Sequence, residues 1–246
     1  MHYSKEFNEL IETSIEGGQY VGLGNPNAKI LIVGKEAGSP VGVESTHGSV
    51  TAWKNKGDYC VRFKPIEDKI RSKRHTWQKY QKLYEMILDK LKIEEKVQKE
   101  EEYEITFVGN IFTTELSNLP APKTIEAKKQ DSFKAELEKR KAVFWKSEFI
   151  KQFPIVIIVA LDNKYIETYS GEVCELFDVQ LSHQNIGDNS DKCWIHYAEE
   201  HKNSIFPKIV IHTRQLTNGA SNELLDKIAG EVKEFVERYG INIVVK

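Results

Sequence analysis

The chain has little cysteine and no long apolar run. Only three cysteines, Cys60, Cys174 and Cys193, occur in 246 residues. They are too few and too scattered for the disulfide framework of a small secreted domain. No segment approaches the ~20 consecutive apolar residues that a membrane-spanning helix needs, and the first residues lack the basic-then-apolar pattern of a secretory signal. We therefore expect a cytoplasmic protein without membrane contact.

Neither sign of charge is in excess, since 35 Lys and Arg face 37 Asp and Glu, for a formal net charge of −2. The balance neither requires nor excludes nucleic acid, because a DNA-binding protein would have to concentrate its basic residues on one face. The length, the 40% apolar content and the lack of repeats or linkers predict one domain over residues 1–246. We expect a monomer by default.

Short apolar runs rich in β-branched residues predict strands that are buried on both faces, as in a parallel sheet. Helical periodicity between these runs predicts an α/β fold with a three-layer α/β/α architecture, built on a doubly wound, mostly parallel four-stranded sheet. The last apolar run reads as a further strand, and a polar loop follows the fourth predicted helix. The predicted strands are 29–34, 104–110, 155–161, 208–212 and 241–245. The predicted helices are 4–16, one whose apolar stripe runs from Trp77 to Leu91 with Thr76 as its N-cap, 124–151, 164–177 and one that begins near 221.

Three of the predicted strands run into a polar residue that is typical of active sites. Glu36 follows the first strand, Asn110 ends the second and His212 ends the fourth. Ligands bind beyond the carboxyl ends of the strands in such sheets. We therefore expect the carboxylate, the carboxamide and the imidazole to converge on one cleft.

Other patterns do not point to a cofactor or a metal ion. The glycine pair Gly22 and Gly24 precedes its strand, whereas a dinucleotide-binding loop must follow a strand and open a helix. Cys193 and His196 have ligand-like spacing, but the chain has no paired Cys-x-x-Cys. We expect neither a cofactor nor a metal site.

With these residues in place, the chain resembles the uracil-DNA glycosylase superfamily. The family's first motif follows strand one and reads Gly-Gln-Asp-Pro-Tyr, Gly-Glu-Ala-Pro-Gly or Gly-Met-Asn-Pro-Gly; here it would be Gly34-Lys35-Glu36-Ala37-Gly38. Its second strand ends in an Asn, which matches Asn110. Its last motif, His-Pro-Ser-Pro-Leu-Ser, aligns with His212-Thr213-Arg214-Gln215-Leu216-Thr217. The resemblance covers residues from about 20 to 235.

The resemblance implies hydrolysis of the N-glycosidic bond of a deaminated base in DNA, after the base has been flipped from the stack. It gives the catalytic roles to Glu36, which would position water, and to His212, which would stabilise the departing base. It also implies an aromatic residue that stacks on the base, from Trp53, Tyr59 or Phe63. The remaining roles are base reading by Asn110 and nucleic-acid contact by Lys35, Arg214 and Leu216, with Leu216 as the apolar wedge. The family's iron–sulfur branch uses four cysteines, so no cluster is expected here.

The motifs also depart from the family's pattern, and two other hypotheses stay open. Ala37 replaces a proline of the first motif, and Thr213, Arg214 and Gln215 replace Pro-Ser-Pro in the last. A catalytically inactive module that binds a nucleobase or nucleic acid would fit these losses. An esterase is the third hypothesis, since Ser39, Asn110 and His212 follow the order of the active-site residues in esterases of flavodoxin-like fold.

Overall fold

A seven-stranded mixed sheet organises the molecule. The computed structural model describes residues 3–45, 47–56, 75–94, 102–185, 192–198, 207–217 and 219–245. The sheet has the order β1-β3-β2-β4-β7-β6-β5. Its central strands β3, β2, β4 and β7 are parallel, and antiparallel strands extend both sides. The strands are β1 (Leu23–Gly24), β2 (Ile30–Gly34), β3 (Ile111–Glu115), β4 (Ile155–Val159), β5 (Gln180–Asn185), β6 (Cys193–Tyr197) and β7 (Ile209–Thr213).

Helices cover both faces of the sheet. One face packs against α3 and α8 and the other against the remaining helices, so that the strands are buried in two apolar clusters. This arrangement explains why β2 and β4 are apolar throughout. In the described parts of the chain the helices are α1 (Lys5–Gly17), α2 (Val50–Lys56), α3 (Thr76–Leu91), α4 (Thr124–Ala127), α5 (Phe133–Val143), α6 (Glu148–Lys151), α7 (Glu172–Phe177) and α8 (Asn222–Tyr239).

The predicted α/β class and the parallel centre of the sheet are confirmed, but the sheet has seven strands rather than the predicted four, because antiparallel strands extend it on both sides. The last helix also follows its sequence signals, because the Ser221 hydroxyl accepts a hydrogen bond from the Leu224 amide and Gly240 ends α8 at φ 63°. The first helix forms within one residue of its predicted bounds. The Trp77-containing helix buries most of the predicted apolar stripe, but its N-cap is His75, and the predicted cap Thr76 is its first residue. Helix periodicity was therefore a reliable signal at both ends of the chain.

The predicted strand 104–110 is wrong. Residues Phe107–Gly109 form a 3₁₀ turn, and β3 begins only at Ile111. The Gln81 side chain of α3 accepts hydrogen bonds from the amides of Thr106 and Phe107. An apolar segment capped in this way is as buried as a strand, so composition alone could not tell the two apart.

Three further predictions fail at the level of elements. The polar loop expected within 162–205 contains β5 and β6, and of the predicted helix 164–177 only Glu172–Phe177 is helical. The single helix expected over 124–151 is three short ones, because Phe144 and Trp145 turn into the core. Residues 241–245 form no strand; Ile243 is buried against the sheet without strand pairing. The described residues include no helix long and apolar enough to cross a membrane.

Candidate active site at the carboxyl edge of the parallel strands

The chain reverses direction across the sheet at β2, and we call the region beyond the carboxyl ends of the central strands the crevice. From β2 the chain crosses to β3 on one side and then to β4 on the other. Doubly wound sheets bind their ligands at such a switch point. Here the crevice is bounded by the segments that follow β2, β3 and β4. These segments carry a group of acidic and basic side chains.

Two carboxyl groups meet at the ends of β2 and β3. Gly34, the last residue of β2, is in register with Glu115, the last residue of β3. A Cβ on Gly34 would lie 2.1 Å from Glu115 Oε2, so a larger residue here would displace this carboxyl group from its present position. Burial, together with the negative charge of Glu36, raises the pKa of Glu115 from 4.5 to about 8. Glu115 is therefore a neutral acid at pH 7, beside the carboxylate of Glu36.

A buried arginine fixes the strand end that carries Glu115. Arg140 of α5 donates from Nε to the Glu115 carbonyl oxygen at 2.9 Å and from Nη2 to the Thr114 hydroxyl at 3.0 Å. Its guanidinium lies 3.7 Å from the centre of the Phe144 ring. Burial lowers the pKa of Arg140 to about 9. Its charge opposes the rise in the pKa of Glu115 but does not cancel it.

Glu36 has one satisfied and one unsatisfied oxygen. The Thr124 hydroxyl donates to Glu36 Oε1 at 2.7 Å. Glu36 Oε2 and the Tyr165 hydroxyl are buried, and neither has a hydrogen-bond partner among the described residues. The hydroxyl nevertheless lies close enough to the carboxylate that burial and Glu36 together raise the pKa of Tyr165 far above its usual value. Buried polar atoms without partners mark a place where a ligand or water can bind.

A basic pair lies on the other side of Tyr165. Lys35 Nζ is 3.8 Å from Asp162 Oδ2, and Lys128 Nζ donates to the same oxygen. Each ammonium group is 5.9 Å from the centre of the Tyr165 ring. Burial raises the pKa of Asp162, but its bonds to Lys128 and the Lys164 amide and the charges of both lysines outweigh it, so the pKa is lowered. The crevice thus contains an acidic and a basic group of side chains.

Asn110 lies at the opposite edge of the sheet from Glu36. It precedes β3, whose first residue pairs with Ile30 at the start of β2. Six residues of strand separate it from the level of Glu36, or roughly 20 Å. Its side chain donates to Tyr84 Oη at 2.6 Å and accepts from the Val245 amide at 2.8 Å. The expected convergence of the three strand-end residues is therefore wrong for Asn110.

His212 lies near the carboxyl end of β7, paired with Ile158 of β4. Its Nε2 donates to the Ala160 carbonyl oxygen at 2.7 Å. Burial lowers the pKa of His212, so the ring is neutral and has a single N–H. That N–H is committed to Ala160 and is not free to stabilise a departing base. A catalytic role for His212 stays a prediction.

The residues that were predicted to contact nucleic acid lie in different environments. Lys35 lies in the crevice, as described, and Arg214 is partly exposed beyond the end of β7. Leu216 is fully buried in the core beneath α8, which gives it a packing role and leaves no exposed side chain to act as a wedge. Trp53 is buried, and its Nε1 donates to the Gly22 carbonyl oxygen. The other predicted stacking residues, Tyr59 and Phe63, lie outside the described residues.

The geometry gives no support to an esterase or a metal site. No hydrogen bond joins the Ser39 hydroxyl to His212, whose recorded side-chain bond goes to Ala160, so the described residues form no Ser–His pair. His196 Nδ1 lies 3.2 Å from the Val210 carbonyl oxygen. Within the described ranges, no three His, Cys, Asp or Glu side chains are placed to hold a metal ion.

Four residues of the crevice were missed from the sequence: Glu115, Asp162, Lys128 and Tyr165. A usable signal existed for two of them. Glu115 ends the run Ile111-Phe-Thr-Thr114, which is rich in β-branched residues, and Asp162 ends the apolar run that begins at Ile155. Placing the second strand seven residues too early directed attention to Asn110 instead. Lys128 and Tyr165 reach the crevice through tertiary packing, which no local pattern indicates.

A groove also lies on the outer surface, away from the switch point. It has a volume of about 240 Å³ and runs between α1 and the helices α5 and α6 on the outer surface. Glu6, Glu9 and Glu148 line its rim, but the nucleophile, acid and base of a reaction do not converge there. The crevice at the switch point remains the better candidate site.

Comparison with known proteins does not identify the chain. No family model, curated protein or solved structure matches it.

Proposed function

We propose that the chain is a divergent uracil-DNA glycosylase-like protein that hydrolyses the N-glycosidic bond of a deaminated base in DNA. Glu36 and Glu115 provide the catalytic pair. The observation that carries the proposal is the contrast between these carboxyl groups, one held neutral beside the other's charge. Pairs of titratable groups whose environments separate their proton affinities are typical of acid–base catalysis. The motifs at Gly34–Gly38 and His212–Thr217 support a nucleobase as the leaving group.

The reaction needs one proton donor and one group that handles water. As the bond between C1′ and the base nitrogen breaks, its electron pair leaves with the base, and the Glu115 carboxylic acid protonates the base. Positive charge builds on the sugar and is stabilised by the Glu36 carboxylate. Water then attacks C1′ and gives its proton to Glu36. The products are the free base and an abasic sugar.

Glu115 takes over a role that the resemblance gave to other residues. A neutral carboxylic acid has one O–H donor and one carbonyl acceptor, as a carboxamide has one N–H face and one C=O face. It can therefore form hydrogen bonds with the edge of a base, which Asn110 does not reach from the opposite edge of the sheet. It can also supply the proton that the committed N–H of His212 does not.

The test is release of a base from DNA. Single- and double-stranded oligonucleotides that contain uracil, hypoxanthine or xanthine are incubated with the protein, and abasic sites are detected by alkaline cleavage. We expect Glu36→Gln and Glu115→Gln each to reduce the rate by on the order of 10²-fold or more. Because Glu115 must be protonated, the rate should fall as the pH rises through about 8.

Glu12→Gln is the matched control, since Glu12 is exposed on α1; it should retain the wild-type rate. Activity that survives Glu36→Gln and Glu115→Gln would overturn the assignment of these residues. Absence of base release from every substrate would overturn the proposed reaction.

The second candidate is a module of the same fold that binds a nucleobase or nucleic acid without turnover. It is favoured by the hydrogen bonds that commit Asn110 and His212 to structural partners. Calorimetry that detects binding of uracil-containing DNA, with no base release, would select this candidate over the first.

A further inference from the structure

Two lysine side chains share a single carboxylate oxygen at the switch point. Lys35 follows β2 and Lys128 follows α4, yet both ammonium groups are directed at Asp162 Oδ2. The three side chains are only 14%, 25% and 16% exposed for Lys35, Lys128 and Asp162. A partly buried cation is costly unless a negative charge lies beside it. One carboxylate cannot neutralise two ammonium groups, so the group retains one positive charge.

The spacing between this basic pair and the acidic pair has a chemical meaning. Tyr165 lies between them: its ring is 5.9 Å from each ammonium group, while its hydroxyl lies beside Glu36. Lys35 and Glu36 are consecutive, and the Tyr165 ring lies between the basic group and the acidic pair. In a nucleotide, the phosphate and the glycosidic bond are likewise separated by one sugar ring.

We propose that Lys35 and Lys128 bind the phosphate of the nucleotide whose glycosidic bond lies against Glu36 and Glu115. The location of that bond rests on the proposed function, whereas the phosphate site itself does not. Asp162 forms ion pairs with both lysines in the absence of phosphate, and it competes with phosphate for them. An ammonium group binds phosphate by charge-assisted hydrogen bonds, and two of them converging on one point can hold two phosphate oxygens.

The effect of Asp162→Asn distinguishes a phosphate site from a purely structural ion pair. If the lysines only tie β2 and α4 to the end of β4, Asp162→Asn weakens the fold and creates no affinity for anions. If they bind phosphate, the same change removes a competitor and leaves two ammonium groups to one phosphate. We therefore expect Asp162→Asn to bind inorganic phosphate on the order of tenfold more tightly than the wild type.

The experiment measures inorganic phosphate binding to the full chain by calorimetry, with the shift in melting temperature as a second readout. Wild type should bind phosphate, and Lys35→Gln/Lys128→Gln should lose on the order of tenfold or more in affinity. Lys129→Gln is the matched control, because its side chain is exposed next to Lys128, and it should bind as the wild type does. Lys128→Arg keeps the charge and should retain binding even if the double variant folds poorly.

A second arm identifies the source of the phosphate. The affinities of 2′-deoxyuridine, its 5′-monophosphate and a uracil-containing single strand are compared. A gain from nucleoside to monophosphate that disappears in the double variant supports a terminal phosphate, and a gain only in the strand supports a backbone phosphate.

The outcomes distinguish this proposal from the proposed function. Equal phosphate binding by wild type and the double variant, or no effect of Asp162→Asn, would overturn the phosphate site even if base release occurs. Phosphate binding that depends on both lysines, without base release from any substrate, would support the phosphate site and overturn the glycosylase reaction.

Discussion

The proton on Glu115 makes the stability of the protein depend on pH, and Glu115→Gln tests this directly. The pKa of this group is 4.5 in its ordinary state and about 8 in the folded protein. Because the folded value is raised, the native state binds the proton more tightly than the unfolded chain does. Its contribution to stability is fully present below pH 4.5 and is lost as the pH rises through about 8.

The magnitude follows from the two pKa values. Between pH 4.5 and 8 the free energy of unfolding falls by about 1.4 kcal/mol per pH unit, which amounts to about 5 kcal/mol in all. Glutamine keeps the shape and the hydrogen-bonding capacity of the neutral acid and does not titrate. Wild type and Glu115→Gln should therefore differ in pH dependence, with the variant relatively more stable at pH 8 than at pH 5.

The assay is urea unfolding followed by circular dichroism at pH 5, 6, 7, 8 and 9. Glu36→Gln is an informative second variant, since removing its charge should lower the pKa of Glu115 and narrow the pH range of the effect. Glu12→Gln, at an exposed site, should follow the wild type. If the curves of wild type and Glu115→Gln run parallel from pH 5 to 9, Glu115 is not held neutral and the assignment of the acid fails.

Three further predictions concern packing and placement. Gly34→Ala should slow base release, because the new Cβ displaces the Glu115 carboxyl group. It should cost no more than about 1.5 kcal/mol in urea unfolding, since only the end of a side chain has to move, and Gly38→Ala, which meets nothing within 4 Å, should leave the stability unchanged. Lys141→Met should cost about 3–5 kcal/mol, since it leaves Glu172, 2.6 Å from Lys141 and nearly inaccessible, without its counter-charge; the exposed pair of Lys151 with Glu148 should cost less than 1 kcal/mol when broken in the same way. Asn110→Ala should lower the free energy of unfolding by about 1–3 kcal/mol through the lost bonds to Tyr84 and Val245, with the rate of base release per folded molecule unchanged; a specific loss of that rate would restore Asn110 to the site.

The sequence predicts the architecture better than the site. The periodicity of α3 and α8 and the apolar runs of β2, β4 and β7 are set by which faces are buried, and burial leaves a direct trace in the pattern. The segment 104–110 has the same apolar pattern although it is not a strand. It is buried, and its amides donate hydrogen bonds to the Gln81 side chain instead of to a neighbouring strand. Local pattern cannot separate these cases.

The site depends on which strand ends are neighbours, which is a property of topology. Glu36 was placed at the crevice because β2 was placed correctly. Asn110 was misplaced because an error of seven residues along a strand exchanges one edge of a sheet for the other. His212 was located on the correct strand, but its hydrogen bond to Ala160 depends on the packing of β7 against β4.

The order of strands also leaves one edge of β4 exposed to aggregation while the chain is being synthesised. Strand β4 is the apolar run Ile155–Val159, and its two neighbours are β2, made long before, and β7, which begins at Ile209. At about 5–20 residues per second, the ribosome needs several seconds to make the intervening chain. During that time the edge of β4 that β7 will cover is open, and an uncharged run of this kind readily pairs with other chains. We expect the yield of folded protein to depend on chaperones that shield β4 until β7 emerges.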